Sequence, residues 1–349
     1  MRKTTALALA ALLLVSFGGR AVAATTLLET GSSLLYPLMN LWVADYTKGR
    51  SDVQITTQST GSGTGISQAI AGVAQIGASD AYMSDAQRAQ SRMFNIPLAI
   101  SAQQVNYNIP GLNDVHLNLS GPVLAGIYSG TIAYWDDAKI KAINKQYGSK
   151  LPHQAIVPIH RADGSGDTFL FTQYLSKSDT TWASGPDFGT TISWPSVGSA
   201  VGATGNPGMV QTCQNTQYSV AYIGVSFLDQ TKKAGLGYAA LENAAGKFLL
   251  PTESNISAAA AQLDEKTPAD EVLSLIFAPG ASSYPIINYE YAIVNPKQGE
   301  GKADELKKFL SWVLSADGGQ SGKFLNAVHF LPLPPNVLKL SKAQVAQIQ

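Results

Sequence analysis

The chain has 349 residues, 45% hydrophobic and 14% charged, and its 24 basic and 24 acidic side chains cancel at neutral pH. That length suits two domains with separate cores. With no basic excess or basic patch, a nucleic-acid partner and an electrostatically held membrane surface are excluded, but an anion can still be held where positive potential is local.

The first residues read as an export signal. Arg2 and Lys3 precede the apolar run "ALALAALLLVSF", and "AVAA" follows with the small-x-small pattern of a cleavage site, placing the cut after Ala23. The run is too short to span a bilayer. No cysteine lies near the cut to carry a lipid anchor, so residues 1–23 are expected to be removed and the rest exported, most simply to a bacterial periplasm. A single cysteine, Cys213, rules out an internal disulfide and reads as a packed thiol rather than a nucleophile.

Strands and helices then alternate. "PLMNLWVADY" opens on Pro37, which helix starts tolerate, and puts Leu38, Leu41, Trp42 and Tyr46 on one face. "VQITTQ" (53–58) alternates as a strand does, and "GISQAIAGVAQ" spaces Ile66, Ala69, Ile70 and Val73 as a helix. "AIVPIH" reads as a buried strand, "FLFTQYL" as a helix with Phe171, Tyr174 and Leu175 together, "ADELKKFLSWVL" as an amphipathic helix and "HFLPLPP" as an extended tail. Such alternation indicates an α/β fold.

Three polar loops each precede a helix: "TGSSLLYP" (30–37), "STGSGTG" (59–65) and "DGSGD" (163–167). Each places Ser and Gly where a helix start leaves backbone N–H groups free and carries about half a positive charge. One such loop is an ordinary cap. Three in one chain, with Arg161 beside the third, point to an anion site. Competing motifs fail. "GSGTG" is not G-x-G-x-x-G, because Ile66 stands where the last glycine belongs, and no Walker motif or G-x-S-x-G elbow occurs. His116, His153, His160 and His329 lack metal-ligand spacing, so no metal is expected.

The stretches "TGSSLLYP", "IGASDAYMSD", "YSGTIAYWDD", "HRADGSGDTFLFTQYL", "AYIGVSFLDQ" and "YPIINYEYAIV" occur in the order found in the PstS family, which the chain resembles from about Thr30 to Pro335. These are the periplasmic phosphate-binding components of bacterial phosphate ABC importers. The resemblance implies an α/β periplasmic binding protein fold of type II, with two lobes joined by hinge strands and phosphate in the cleft between them. It places one lobe at 24–104 plus 287–349 and the other at 105–286, with "AISAQQVNYNI" and "YPIINYEYAIV" as the hinges. It further implies no cofactor, no enzymatic activity, a monomer, and membrane permease subunits with a cytoplasmic ATPase as partners.

Carried over position by position, the resemblance implies phosphate contacts from Ser33 and Leu34, with Ser32 alongside, and from Ser62, Asp80, Arg161, Ser165, Gly166 and Asp167, with Asp163 orienting Arg161. Asp80 has a physical rationale there. A carboxylate can only accept, so it demands a proton on the ligand. Phosphate retains one near neutral pH and sulfate does not, so Asp80 discriminates between them. Asp167 stands where many family members carry threonine. Either its carboxylate faces the cleft as a second acceptor, or it turns outward as a first-turn acid and offers only its N–H. The family branch with this motif keeps the surrounding site unchanged, which favours the inward reading. Two other readings remain at this stage: a binder of another oxyanion such as sulfate or a surface-adhesive protein, and a phosphoester hydrolase.

Overall fold

The computed structural model describes residues 24–299 and 301–349; the export signal expected at 1–23 lies outside them. The chain opens with β1 (Thr25–Gly31), α1 (Tyr36–Tyr46), β2 (Val53–Ser59), α2 (Ser62–Ile70), β3 (Ile76–Ser79), a short α3 (Asp85–Gln90) and the long β4 (Phe94–Asn108). There follow β5 (Asn118–Leu119), α4 (Gly121–Tyr128), α5 (Ala138–Ile143), β6 (Val157–Arg161), α6 (Gly166–Ser178), α7 (Thr180–Ser184), β7 (Val201–Ala203), α8 (Gly205–Asn215), β8 (Ser219–Gly224) and α9 (Leu228–Lys233). The short strands β9 (Gly237–Tyr238), β10 (Ala240–Glu242) and β11 (Phe248–Leu249) lead to α10 (Glu253–Ala261). Then β12 (Ile287–Val294) returns, followed by α11 (Ala303–Val313), α12 (Gly322–Leu325) and α13 (Pro335–Ala346).

The main sheet runs β2-β1-β3-β12-β4-β8-β6-β7, with β9 also paired to β4. Strand β4 serves both halves. Phe94–Ala102 pairs with β12, whereas Gln103–Asn108 pairs with β8. The change of partner falls at Ala102/Gln103, so β4 crosses from one lobe to the other there. β12 is buried along its whole length and β4 at all but its ends, as strands covered on both faces must be. This explains their near-continuous apolar and aromatic runs. Parallel β1, β2 and β3 occupy one lobe, and parallel β6, β7 and β8 the other. In both lobes the connecting helices begin at the carboxyl ends of these strands, where open α/β sheets hold their ligands.

The elements differ from the expected ones in three places. The helix expected through "GISQAIAGVAQ" stops at Ile70, and Gly72 adopts φ +72° just beyond it. Ile66 and Ala69 are buried, but Ile70 and Val73 are exposed. In α1 the buried face is Leu38, Met39 and Trp42, while Leu41 points to solvent. "HFLPLPP" is extended only as far as a bridge between Leu331 and Ile100. The prolines then start α13, which the sequence reading lacked. Cys213 is a buried thiol in α8, near the Ser219 hydroxyl at 3.3 Å, and burial pushes it up to about 12, far from thiolate chemistry.

Candidate functional site

Three helix starts meet around Asp80, which follows β3. In the first, the Ser32 hydroxyl accepts from the backbone N–H groups of Leu34 (3.0 Å) and Leu35 (2.9 Å) and donates to Asp80 Oδ1. Ser33 points the other way. Its Oγ accepts from the backbone N–H of Asn206 (3.1 Å) and from its Nδ2 (2.9 Å), across the gap between lobes. Leu34 is fully buried and seated on Gly224, and its carbonyl accepts from Ser226 Oγ at 2.8 Å. In the second start, Ser62 Oγ lies 3.3 Å from Asp80 Oδ2 and accepts from the Asp80 N–H at 3.2 Å.

The third start faces these two from the other lobe. Ser165 caps α6 by accepting from the Thr168 N–H at 3.2 Å. Gly166 comes so near Asp80 that a methyl built on it would press against Asp80 Oδ2 and lie 2.5 Å from Ser62 Oγ. Glycine is required here for close approach rather than for backbone freedom. Nearby, the Gly63 N–H donates to the Gly164 carbonyl at 2.9 Å, so the lips of the cleft touch through backbone.

Arg161 ends β6 with its side chain 1% exposed. Its Nε donates to Asp163 Oδ1 at 2.7 Å and its Nη2 to Oδ2, a bidentate clasp that sets the guanidinium plane. Its Nη1 donates to Asp167 Oδ2 at 2.8 Å. Asp167 therefore turns its carboxylate inward. Oδ2 also accepts from Asn206 Nδ2 (2.7 Å), and Oδ1 from Gln103 Nε2 (3.1 Å). Two carboxylates thus share one guanidinium.

The electrostatics follow from this packing. Burial opposes the Arg161 charge, but the Asp163 bond and the Asp167 charge outweigh it and hold the guanidinium more firmly protonated than usual. Burial would raise the Asp163 carboxyl, yet the Arg161 contact holds it below its ordinary value. Asp167 is raised by burial, against the pull of Arg161. Asp80 is also raised, first by burial and then by the Asp167 charge.

The structure thus gathers Ser32, Ser33, Ser62, Asp80, Arg161, Ser165, Gly166 and Asp167 into one buried cluster, with half-buried Asp163 at its edge and Leu34 beside it holding the lobes together. It also brings in residues that the sequence reading did not single out. Asn206 ties Ser33 to Asp167 and accepts from the Gly224 N–H at 2.9 Å. Its signal was present: "TGNP" at 204–207 is a fourth polar, Gly-containing loop ahead of a helix. Gln103 reaches Asp167 from β4, and Tyr222 OH accepts from the Arg161 N–H at 2.8 Å while bonding Thr168 Oγ1. Glu290 faces Asp80 from β12. The last three lie inside strands, where nothing in the local pattern separates a site residue from a buried polar one.

Chemically, the cluster sets helix-start donors and one cation against two acceptor carboxylates. That mixture suits a small oxyanion that keeps a proton. No group of His, Cys, Asp and Glu among the described residues could hold a metal ion.

Such a cluster, held between two α/β lobes that share crossing strands, defines a two-lobed ligand-binding protein, and residues 18–317 match the PBP superfamily domain. The chain is 35% identical to the phosphate-binding protein PstS of Methanocaldococcus jannaschii, covering 92% of this chain and 85% of that one. It is also 35% identical to PstS of Xylella fastidiosa, over 90% and 83% of the two chains. The protein belongs to the PstS family within that superfamily. Among solved structures, a high-affinity periplasmic phosphate-binding protein (PfluDING) bound with phosphate superimposes with a TM-score of 0.67 at 21% identity, covering 93% of each chain. A putative phosphate ABC transporter substrate-binding protein from Clostridium perfringens with bound phosphate gives 0.64 at 17%, covering 89% of this chain and all of that one. Both share the two-lobed fold.

Proposed function

We propose that the protein binds inorganic phosphate between its lobes in the periplasm and hands it to the permease subunits of a phosphate ABC importer driven by a cytoplasmic ATPase. The observation that carries this reading is the acceptor Asp80 set among Ser32, Ser62 and the Gly166 helix start, with Arg161 opposite. An anion entering there must bring a proton for Asp80, and phosphate does. The names of the relatives support the same ligand.

In this proposal Ser33, Leu34, Ser62, Asp80, Arg161, Ser165, Gly166 and Asp167 meet the ligand, with Ser32 alongside and Asp163 orienting Arg161. The lobes are 24–104 plus 287–349 and 105–286, a division supported by the change of partner on β4 at Ala102/Gln103. The relatives are named as binding proteins, and in this proposal the protein is a monomeric carrier rather than an enzyme.

Calorimetric titration of the mature protein with phosphate and sulfate tests the reading. One phosphate per chain is expected, with sulfate bound far more weakly. Comparable affinities would overturn the proton-counting argument, and turnover of a phosphoester would favour a hydrolase.

A further inference from the structure

Behind Asp80, away from the helix starts, lies a second carboxyl that the proposed phosphate contacts do not use. Glu290 stands on β12 and is fully buried. Its Oε1 accepts twice, from Ser101 Oγ on β4 at 2.5 Å and from Asn288 Nδ2 at 3.0 Å. Its Oε2 has no donor, and its carboxyl faces that of Asp80. Asp80 already takes Ser32 on one oxygen and Ser62 on the other. Asn288 ties the pair together, since its Nδ2 also reaches the Asp80 carbonyl at 3.4 Å.

Two buried carboxyls bridged this closely through Asn288 do not both ionise; one keeps a proton between them. The arrangement of donors decides which. The Asp80 oxygens are met by two hydroxyls, and the Arg161 charge favours the ionised form there. Glu290 has two donors on one oxygen and none on the other, the pattern of a carboxylic acid that accepts through its carbonyl and donates through its hydroxyl.

We infer that Glu290 is a protonated positioning residue whose Oε2–H is donated to Asp80, keeping Asp80 an ionised acceptor and thereby setting the number of protons a ligand must bring. This inference rests on the phosphate reading above and deepens it. Without the Glu290 donor, a buried Asp80 would take up the proton itself. It would then offer a hydroxyl to the ligand, and the barrier to a fully deprotonated anion such as sulfate would fall. Asp80 is the titratable group that faces Glu290 directly. Asp167 and Arg161 act on the pair from beyond Asp80, while Ser101 and Asn288 are the neutral partners. Burial raises the Glu290 carboxyl well above its ordinary range and the Asp80 charge raises it further, which is consistent with this assignment.

The test uses the mature protein and three variants, titrated with phosphate and with sulfate from pH 5 to 9. Glu290→Leu removes the donor and should shrink the phosphate-to-sulfate preference at least tenfold at neutral pH. Glu290→Gln can donate Nε2–H to Asp80 and accept from Ser101, so it should restore the preference to within about threefold of the parent. This follows because an amide matches the donor pattern of the acid. Asp80→Asn should lose discrimination whatever stands at 290. If Glu290→Gln lost the preference as fully as Glu290→Leu, an ionised Glu290 would be indicated; an unchanged preference in Glu290→Leu would show no role at all. Either result overturns the inference. Infrared difference spectra of the ligand-free proteins separate it from the phosphate reading. At pH 7.5 the parent-minus-Glu290→Gln difference should show one carboxylic-acid carbonyl band, whether or not phosphate binds, while bands from other protonated carboxyls such as Glu29 cancel; a difference without that band would refute it.

Discussion

Arg161 and Asp167 form an ion pair inside the site, Nη1 to Oδ2 at 2.8 Å, with both side chains 1% exposed. The guanidinium is therefore divided between Asp163, which orients it, and Asp167, which occupies the donor aimed into the cleft. Two of its five N–H donors, one on Nη1 and one on Nη2, stay outside these contacts, and an anion bound to them lies beside the Asp167 carboxyl. The energetic consequence depends on whether Asp167 carries its charge.

The first prediction follows from that competition. Burial raises Asp167, and burial with the Asp167 charge raises Asp80, so acid favours the forms that repel an anion least. Phosphate itself loses its second proton at roughly pH 6, by analogy with phosphoserine. Affinity should fall as pH rises through that range. Asp167→Thr should flatten the slope and bind phosphate about tenfold more tightly at pH 8.5, the equivalent of one pKa unit of interaction. Titrations of both proteins from pH 5 to 8.5 check this; superimposable profiles would show that Asp167 does not couple to the ligand.

Removing Arg161 should cost more than removing a serine. Breaking one partner of a buried charge pair costs about 3–5 kcal/mol, whereas a neutral hydrogen bond contributes about 0.5–1.5 kcal/mol. Arg161→Ala also leaves Asp163 and Asp167 unpaired, so Arg161→Lys is the gentler control. It keeps the charge but loses the bidentate clasp, and should fall between Arg161→Ala and Ser62→Ala in phosphate affinity by calorimetry. Equal losses in Arg161→Ala and Ser62→Ala would remove Arg161 from the site.

Gly166→Ala probes the close approach of the lobes. The added methyl meets Asp80 and Ser62 Oγ, and overpacking of this kind costs about 1–3 kcal/mol. Because the clash lies between lobes, phosphate affinity should drop roughly 5- to 150-fold, while the melting temperature without phosphate stays near that of the parent. A parallel drop in melting temperature would place the damage within one lobe.

On β1, Glu29 sits fully buried, its two carboxyl oxygens unpartnered and its carboxyl raised by burial to about 8. A carboxyl raised on folding contributes stability that is complete below its unfolded value and is lost as pH climbs through the folded one. Stability should therefore decline between about pH 4.5 and pH 8, at up to about 1.4 kcal/mol per pH unit for one group. Glu29→Gln should flatten that decline and be the more stable protein at pH 8.5 in urea titrations. Parallel declines would show that Glu29 is not the group responsible.

Much of this was readable in the chain. The helix starts at Ser32, Ser62 and Ser165 were visible because Ser and Gly gather just ahead of each helix; at Ser32 and Ser165 the hydroxyl and the N–H groups it serves lie within three residues. Arg161 was visible as a cation beside the third loop, whereas the orienting role of Asp163 came from the resemblance to the family. Asn206 answers Ser33 from 173 positions away, and Gln103 reaches Asp167 across 64. No local pattern records contacts that only the meeting of two lobes creates. Helix α13 was hidden by "LPLPP", since prolines that end one segment can equally begin the next. The orientation of Asp167 depended on Arg161 and Asn206 being on the same side of it, a matter of packing rather than of sequence spacing.

The bond from the Gly63 N–H to the Gly164 carbonyl gives the molecule its own clock. While the lips are together, that amide proton is shielded from deuterated solvent; each time they part, it can be traded. A captured anion cannot leave before the lips part, so the wait for the next parting is the shortest it can stay. Amide exchange at Gly63 therefore times release from the protein's side, without any signal from the cargo, and a ligand that holds the lips shut should slow the exchange in proportion to its own residence.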